Sequence, residues 1–120
     1  MVWYRKAAEQ GNARAQHNLA FLYHEGYGVS QSYSQASIWF RKAAEQGFAS
    51  AQAVLGSYYL LGRGVKKDNV QAYAWLSVAV ANGESDAIEF RDVSSAKLSE
   101  PELRQAQKMA SKYFEQYQSR

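Results

Sequence analysis

Reactive side chains are few in this sequence, and where they fall restricts their use. His17 and His24 lie seven residues apart. On a helix that is about 10 Å along the axis, too long for one metal ion with ligand distances of about 2 Å. Ser94-Ser95-Ala96-Lys97 fits Ser-x-x-Lys, a signature of β-lactamases and penicillin-binding proteins, but its companions Ser-Asp-Asn and Lys-Thr-Gly are missing from the chain. Gly62-Arg63-Gly64 lacks the Gly-Lys-Ser/Thr of a phosphate-binding loop. Glu84, Asp86, Glu89 and Asp92 form an acidic helical patch that reads as a solvated face. With no cysteine, disulfide scaffolds, thiolate-bound metal and thiol catalysis are excluded. The expectation is a protein that is not an enzyme, with no catalytic residues, cofactor or metal site.

The 120 residues correspond to one domain, and the composition, 47% hydrophobic and 21% charged, is that of a globular chain. Fourteen basic and eleven acidic residues leave a net charge of +3. The basic residues are scattered; the densest cluster, Arg63, Lys66 and Lys67, is broken at once by Asp68. Nucleic-acid binders concentrate positive charge on one face, so no nucleic-acid partner is expected. No apolar run approaches the roughly 20 residues of a membrane helix. The segment Met1-Val2-Trp3-Tyr4-Arg5-Lys6 lacks the apolar stretch of a secretion signal. Localisation stays open: cytoplasmic if the chain is complete, periplasmic or secreted if a signal peptide was removed.

The elements that would position these side chains follow from an internal repeat. A shift of 36 residues aligns WYRKAAEQGNARAQ, from Trp3, with WFRKAAEQGFASAQ, from Trp39, and a third copy, WLSVAVANGESDA, starts at Trp75. Leu19 matches Leu55, Tyr23 matches Tyr59, and Gly11, Gly47 and Gly83 share one lattice position. Seven of the eight glycines fall at such punctuation points; the eighth, Gly56, replaces Ala20 inside a helical pattern and marks a close helix contact. Between glycines, apolar residues recur at helical spacing, as in Ala15, Leu19, Leu22 and Tyr23. Ser32 with Gln35, Asp68 with Gln71, and Ser99 with Glu102 have capping-box spacing. Two-helix units of this length bury their apolar faces only by stacking, so the fold is an all-α solenoid of antiparallel helix pairs. The lattice divides it into a partial repeat at 1–11, repeats at about 12–47 and 48–83, and a degenerate third repeat with a C-terminal capping helix over 84–120. The third unit reads as helical from about Glu84 to Val93. The last helix carries Leu103, Ala106, Ala110, Tyr113 and Tyr117 on one side and Arg104, Gln105, Lys108 and Lys112 on the other. Trp3 matches the middle of a unit's second helix, so the chain starts inside a unit. Two readings follow: the chain was cut from a longer array, or Trp3 and Tyr4 face a partner, which includes a dimer through the N-terminal helix.

The series Ala51, Leu55, Gly56, Tyr59, Gly62, Gly64, Val65, Asp68, Ala72, Trp75, Ala79 and Gly83 resembles the Sel-1-like repeat (SLR) family, relatives of the tetratricopeptide repeats. The preceding repeat matches through Ala15, Leu19, Tyr23, Gly26, Gly28, Val29, Ala36, Trp39, Ala43, Ala44 and Gly47, with Ser32 in place of the usual aspartate and Ala20 in place of the usual glycine. The likeness covers about residues 3–93, and the tail from Leu98 resembles the terminal helix of bacterial members. The resemblance implies a right-handed α/α superhelix and a non-catalytic adaptor that binds proteins or peptides, in bacteria often in envelope, host-interaction or signalling processes.

By likeness to tetratricopeptide geometry, function would lie on the concave face lined by the first helix of each unit. The candidates are Arg14, His17, Phe21 and His24 in one repeat, Ser50, Ala53, Ser57 and Leu60 in the next, and Asp86 and Glu89 in the third. In the first set, offsets of 3, 7 and 10 place the four residues on one stripe. The expected groove is basic and aromatic at one end, small in the middle and acidic at the other, suited to a short peptide with opposite charges at its ends. Phe21 packing in the solenoid, with solvated histidines, is the plain alternative. A second functional reading is a carbohydrate or peptidoglycan-fragment binder of the bacterial envelope, using tyrosines at the loop edges, Tyr27, Tyr33, Tyr58 and Tyr73 among them.

Overall fold

A computed structural model describes residues 2–118, with the side chain of Val2 left aside. The described residues form seven α-helices: α1 (Val2–Glu9), α2 (Ala13–Glu25), α3 (Tyr33–Glu45), α4 (Ala49–Leu61), α5 (Asn69–Ala81), α6 (Ala87–Ala96) and α7 (Glu100–Gln116). Each helix through α5 packs on the next in sequence, and α7 packs back on α5. The stack is elongated, with extents of 46 × 28 × 20 Å.

Helix ends fall where the local chemistry places them. Asn12 and Ser32 accept from the amides of Ala15 and Gln35, and Asp68 accepts from Val70 and Gln71. Gly26 and Gly62 close α2 and α4 in the left-handed conformation. The reciprocal capping box forms at Ser99 and Glu102, and hydrogen bonds from Ser99 hold the exposed Glu102 carboxyl below the usual carboxylate range. Gln71 has a different use from the expected one: its Oε1 accepts from the Tyr113 hydroxyl at 3.0 Å, tying α5 to α7. The third unit also starts later than its sequence pattern suggests. Residues 84–86 form a tight turn, with the amides of Ala87 and Ile88 bonding back to Glu84 and Ser85, and α6 runs on to Ala96.

The principal core joins Ala20, Phe40, Ala43, Ala51, Leu55, Tyr58 and Trp75, with Val65 of the second loop packed against it. Small residues set the helix spacing. A Cβ on Gly56 would lie 2.7 Å from Leu76 Cγ, so α4 and α5 approach more closely than an alanine allows.

A polar thread repeats with the same 36-residue period. Gln16 Nε2 donates to the Ala8 carbonyl at 3.1 Å, and Gln16 Oε1 accepts from Gln46 Nε2 at 2.8 Å. One repeat on, Gln52 Nε2 donates to the Ala44 carbonyl at 3.0 Å, and Gln52 Oε1 accepts from Asn82 Nδ2 at 2.9 Å. At this second station Gln52 and Asn82 also donate to the Tyr117 carbonyl, at 2.9 and 3.0 Å, which fixes the end of α7. Arg5 with Tyr23 and Arg41 with Tyr59 repeat likewise, each guanidinium donating to the tyrosine hydroxyl.

Candidate functional site

The first helices of the three units, α2, α4 and α6, border a groove of about 230 Å³ whose floor is one face of α4. Ala53, Ser57 and Leu61 run along that floor, with Val54 and Tyr58 beside them. The row follows the i, i+4 ridge of the helix rather than the offsets of 3, 7 and 10. At 100° per residue, Leu61 lies about 40° from Ser57 while Leu60 lies about 60° away on the other side. Leu60 therefore turns toward α5 and is buried at 7% exposure against Ala72, Leu76, Ala79 and Ala87. It does not line the groove, and Leu61, 58% exposed, does.

The other candidates divide in the same way. From α2, His24 reaches the groove, with its Nδ1 2.6 Å from the Tyr58 hydroxyl. Burial raises the Tyr58 pKa above its ordinary value. Phe21 stands outside, half-exposed, stacked on His24 at 6.2 Å. His17 is wedged between Phe40 and Phe48, at 5.3 and 5.0 Å, with a buried Nδ1 that has no hydrogen-bond partner. Arg14 is exposed and does not line the groove. Ser50 donates to Glu84 Oε2 at 3.0 Å at one end. Just before α6, Asp86 lines the groove together with Ala87 and Phe90 of that helix, while the exposed Glu89 is outside the lining.

Arg63, Glu84 and Phe90 belong to the groove but not to the candidate set. Phe90 was legible from the same i, i+4 step, four residues on from Asp86. Arg63 and Glu84 sit outside the helices, where helical spacing carries no signal. The guanidinium of Arg63 lies over the Tyr33 ring, 5.1 Å from its centroid.

Elsewhere, Ser94 of the Ser-x-x-Lys match is fully buried and donates to the Arg91 carbonyl at 2.6 Å, so its hydroxyl is not presented to solvent. Among the described residues no three His, Asp or Glu side chains are placed to hold a metal ion, and no helix is long and apolar enough to cross a membrane. Trp3 is 82% exposed and borders a shallow depression with Lys6 and Ala7 of α1 and Gln10 just after it.

The Sel1 repeat profile matches residues 1–12, 13–48 and 49–84. The chain belongs to the Sel1 repeat family. The second and third Sel1 matches each span a helix pair, α2–α3 and α4–α5, with boundaries one residue on from those of the glycine lattice. Among solved structures, the Sel1 chain is similar to a protective antigen present in uropathogenic Escherichia coli strains that displays an SLR fold. The two are 43% identical with a TM-score of 0.92, covering 96% of this chain and 25% of that one. The chain thus spans a quarter of the length of that protein. A Sel1 repeat protein from Oxalobacter formigenes is 41% identical with a TM-score of 0.73, covering 75% of this chain and 68% of its own. No curated protein sequence matches the chain. Sel1 repeats generally serve as protein-interaction scaffolds rather than as enzymes.

Proposed function

We propose that this Sel1 repeat chain is a peptide-binding adaptor that takes a short segment of a partner protein into the groove on α4. The observation that carries this reading is the groove itself. Small side chains, Ala53 and Ser57, leave room on its floor, apolar ones, Val54, Leu61 and Ala87, line it, and Phe90 stands half-exposed at its edge. An apolar depression with a few polar groups at its ends is the usual form of a ligand site, and an exposed aromatic beside it is a common anchor in protein recognition. A sugar ligand is less well served: Tyr58 is buried at 2% exposure and Tyr33 lies under Arg63, leaving Phe90 as the open ring at the groove.

Panning a random heptapeptide display library on the full chain tests the reading. Ligands are expected whose binding is lost in Ala53→Arg, which fills the floor, and kept in Lys108→Ala on the exposed side of α7. Binding indifferent to Ala53→Arg contradicts the proposal, as does binding confined to a glycan array.

A further inference from the structure

The charges around the groove narrow the class of peptide, and the inference rests on the groove reading above. Arg63 borders one end, beyond Leu61, and Glu84 and Asp86 border the other, beside Ser50. Among the described residues none of the three is in a salt bridge: Arg63 rests on the Tyr33 ring, Glu84 accepts only the Ser50 hydroxyl, and Asp86 is exposed. The opposite charges are thus left facing the groove instead of each other, separated along α4 by an apolar floor.

From the geometry we infer that the groove selects a peptide segment of about five residues carrying a basic side chain at one end and an acidic one at the other, with an apolar side chain between them. The length follows from the helix. Ser50 to Leu61 is eleven residues, about 16 Å along the axis, which an extended peptide covers in about five residues at 3.3–3.6 Å each. The apolar side chain occupies the space over Ala53 and Ser57 against Phe90. The basic one meets Glu84 and Asp86, and the acidic one meets Arg63, whose planar guanidinium is suited to a carboxylate. Either chain direction satisfies this pattern, since the pairing is through side chains. A peptide with like charges at both ends brings one of them against its own sign, which electrostatic complementarity penalises.

The test uses acetylated, amidated pentapeptides with a central leucine flanked by alanines, so that only side chains carry charge. Lys/Glu peptides in both orders are compared with Lys/Lys and Glu/Glu peptides by fluorescence anisotropy on the full chain. The mixed-charge peptides are expected to bind about tenfold more tightly than either like-charged one. Arg63→Glu should shift the preference to Lys/Lys, and the double variant Glu84→Lys/Asp86→Lys should shift it to Glu/Glu. Circular dichroism checks that these surface variants remain folded. Equal affinities for all charge classes, or an unchanged ranking in Arg63→Glu, overturn the inference. If library ligands bind in an Ala53-dependent way without this charge pattern, only the charge inference falls. If no peptide depends on Ala53, the groove reading falls with it.

Discussion

Trp75 of α5 lies stacked on Tyr117, the residue that ends α7, ring centroids 5.3 Å apart and planes 16° from parallel, while Tyr113 of α7 covers it from 4.7 Å. The three lattice tryptophans thereby differ in exposure along the stack: Trp3 is open, Trp39 is half-buried, and Trp75 is buried at 1%. The difference lies in what the neighbouring helix supplies, since the residue type is the same. Replacing Tyr113 and Tyr117 together by alanine should uncover Trp75, red-shift its emission and cost about 2–4 kcal/mol, at or below the usual range for truncating a buried aromatic because both tyrosines are partly exposed. Fluorescence and urea unfolding measure both effects. Trp3 provides an internal contrast. It should quench readily with acrylamide, and quenching that falls as protein concentration rises would report self-association through α1.

Gln52 holds three elements together, bonding the Ala44 carbonyl, the Asn82 amide and the Tyr117 carbonyl while fully buried. Gln52→Leu keeps a similar volume but strands those polar groups. A loss of about 1–3 kcal/mol is expected, from the cost of buried groups left without partners. Gln16→Leu should cost less, because Gln16 bonds two groups rather than three. Equal losses in thermal unfolding would contradict this ordering.

Gly28 and Gly64 hold the same lattice position and both have positive φ, at +74° and +67°. Their surroundings differ. A Cβ on Gly28 meets nothing within 4 Å, whereas one on Gly64 would lie 2.2 Å from the Tyr33 carbonyl oxygen. Gly28→Ala should cost about 1–2 kcal/mol for the left-handed backbone alone. Gly64→Ala should cost about 1–3 kcal/mol more, because the backbone at Tyr33 must move. Urea titration of the two single variants checks the difference.

His17 supplies a pH dependence. Burial between Phe40 and Phe48, with the charge of Arg14, lowers its pKa below 6.5, while Glu84 acts in the opposite direction. The unfolded chain therefore binds the proton more readily than the folded one. The stability linked to His17 is fully present above pH 6.5 and is lost as pH falls through 6.5 toward the lower folded value. The melting temperature should drop between pH 7.5 and 5.5, and His17→Gln should flatten that slope whatever its effect on stability at pH 7.5. An unchanged slope in the variant would contradict the assignment.

Features governed by neighbours in the chain were legible from the residues alone. The 36-residue period, the helix-ending glycines, the caps at Ser32, Asp68 and Ser99, and the close contact at Gly56 depend on backbone conformation and on local hydrogen bonds, which residue type and spacing set directly. The period also required stacking, because a single helix pair cannot cover its own apolar face. The groove was only partly legible. Ala53, Ser57, His24 and Asp86 reach it, but Leu60 turns into the core, and Arg14, His17, Phe21 and Glu89 stay outside its lining. A stripe drawn on one helix says which side chains share a side; it does not say which side the neighbouring helices leave open. That choice belongs to the packing angle between α4 and its neighbours, as do the placement of Arg63 and Glu84 from outside the helices and the burial of Trp75 beneath α7. These depend on contacts between residues far apart in the chain, so tertiary structure alone decided them.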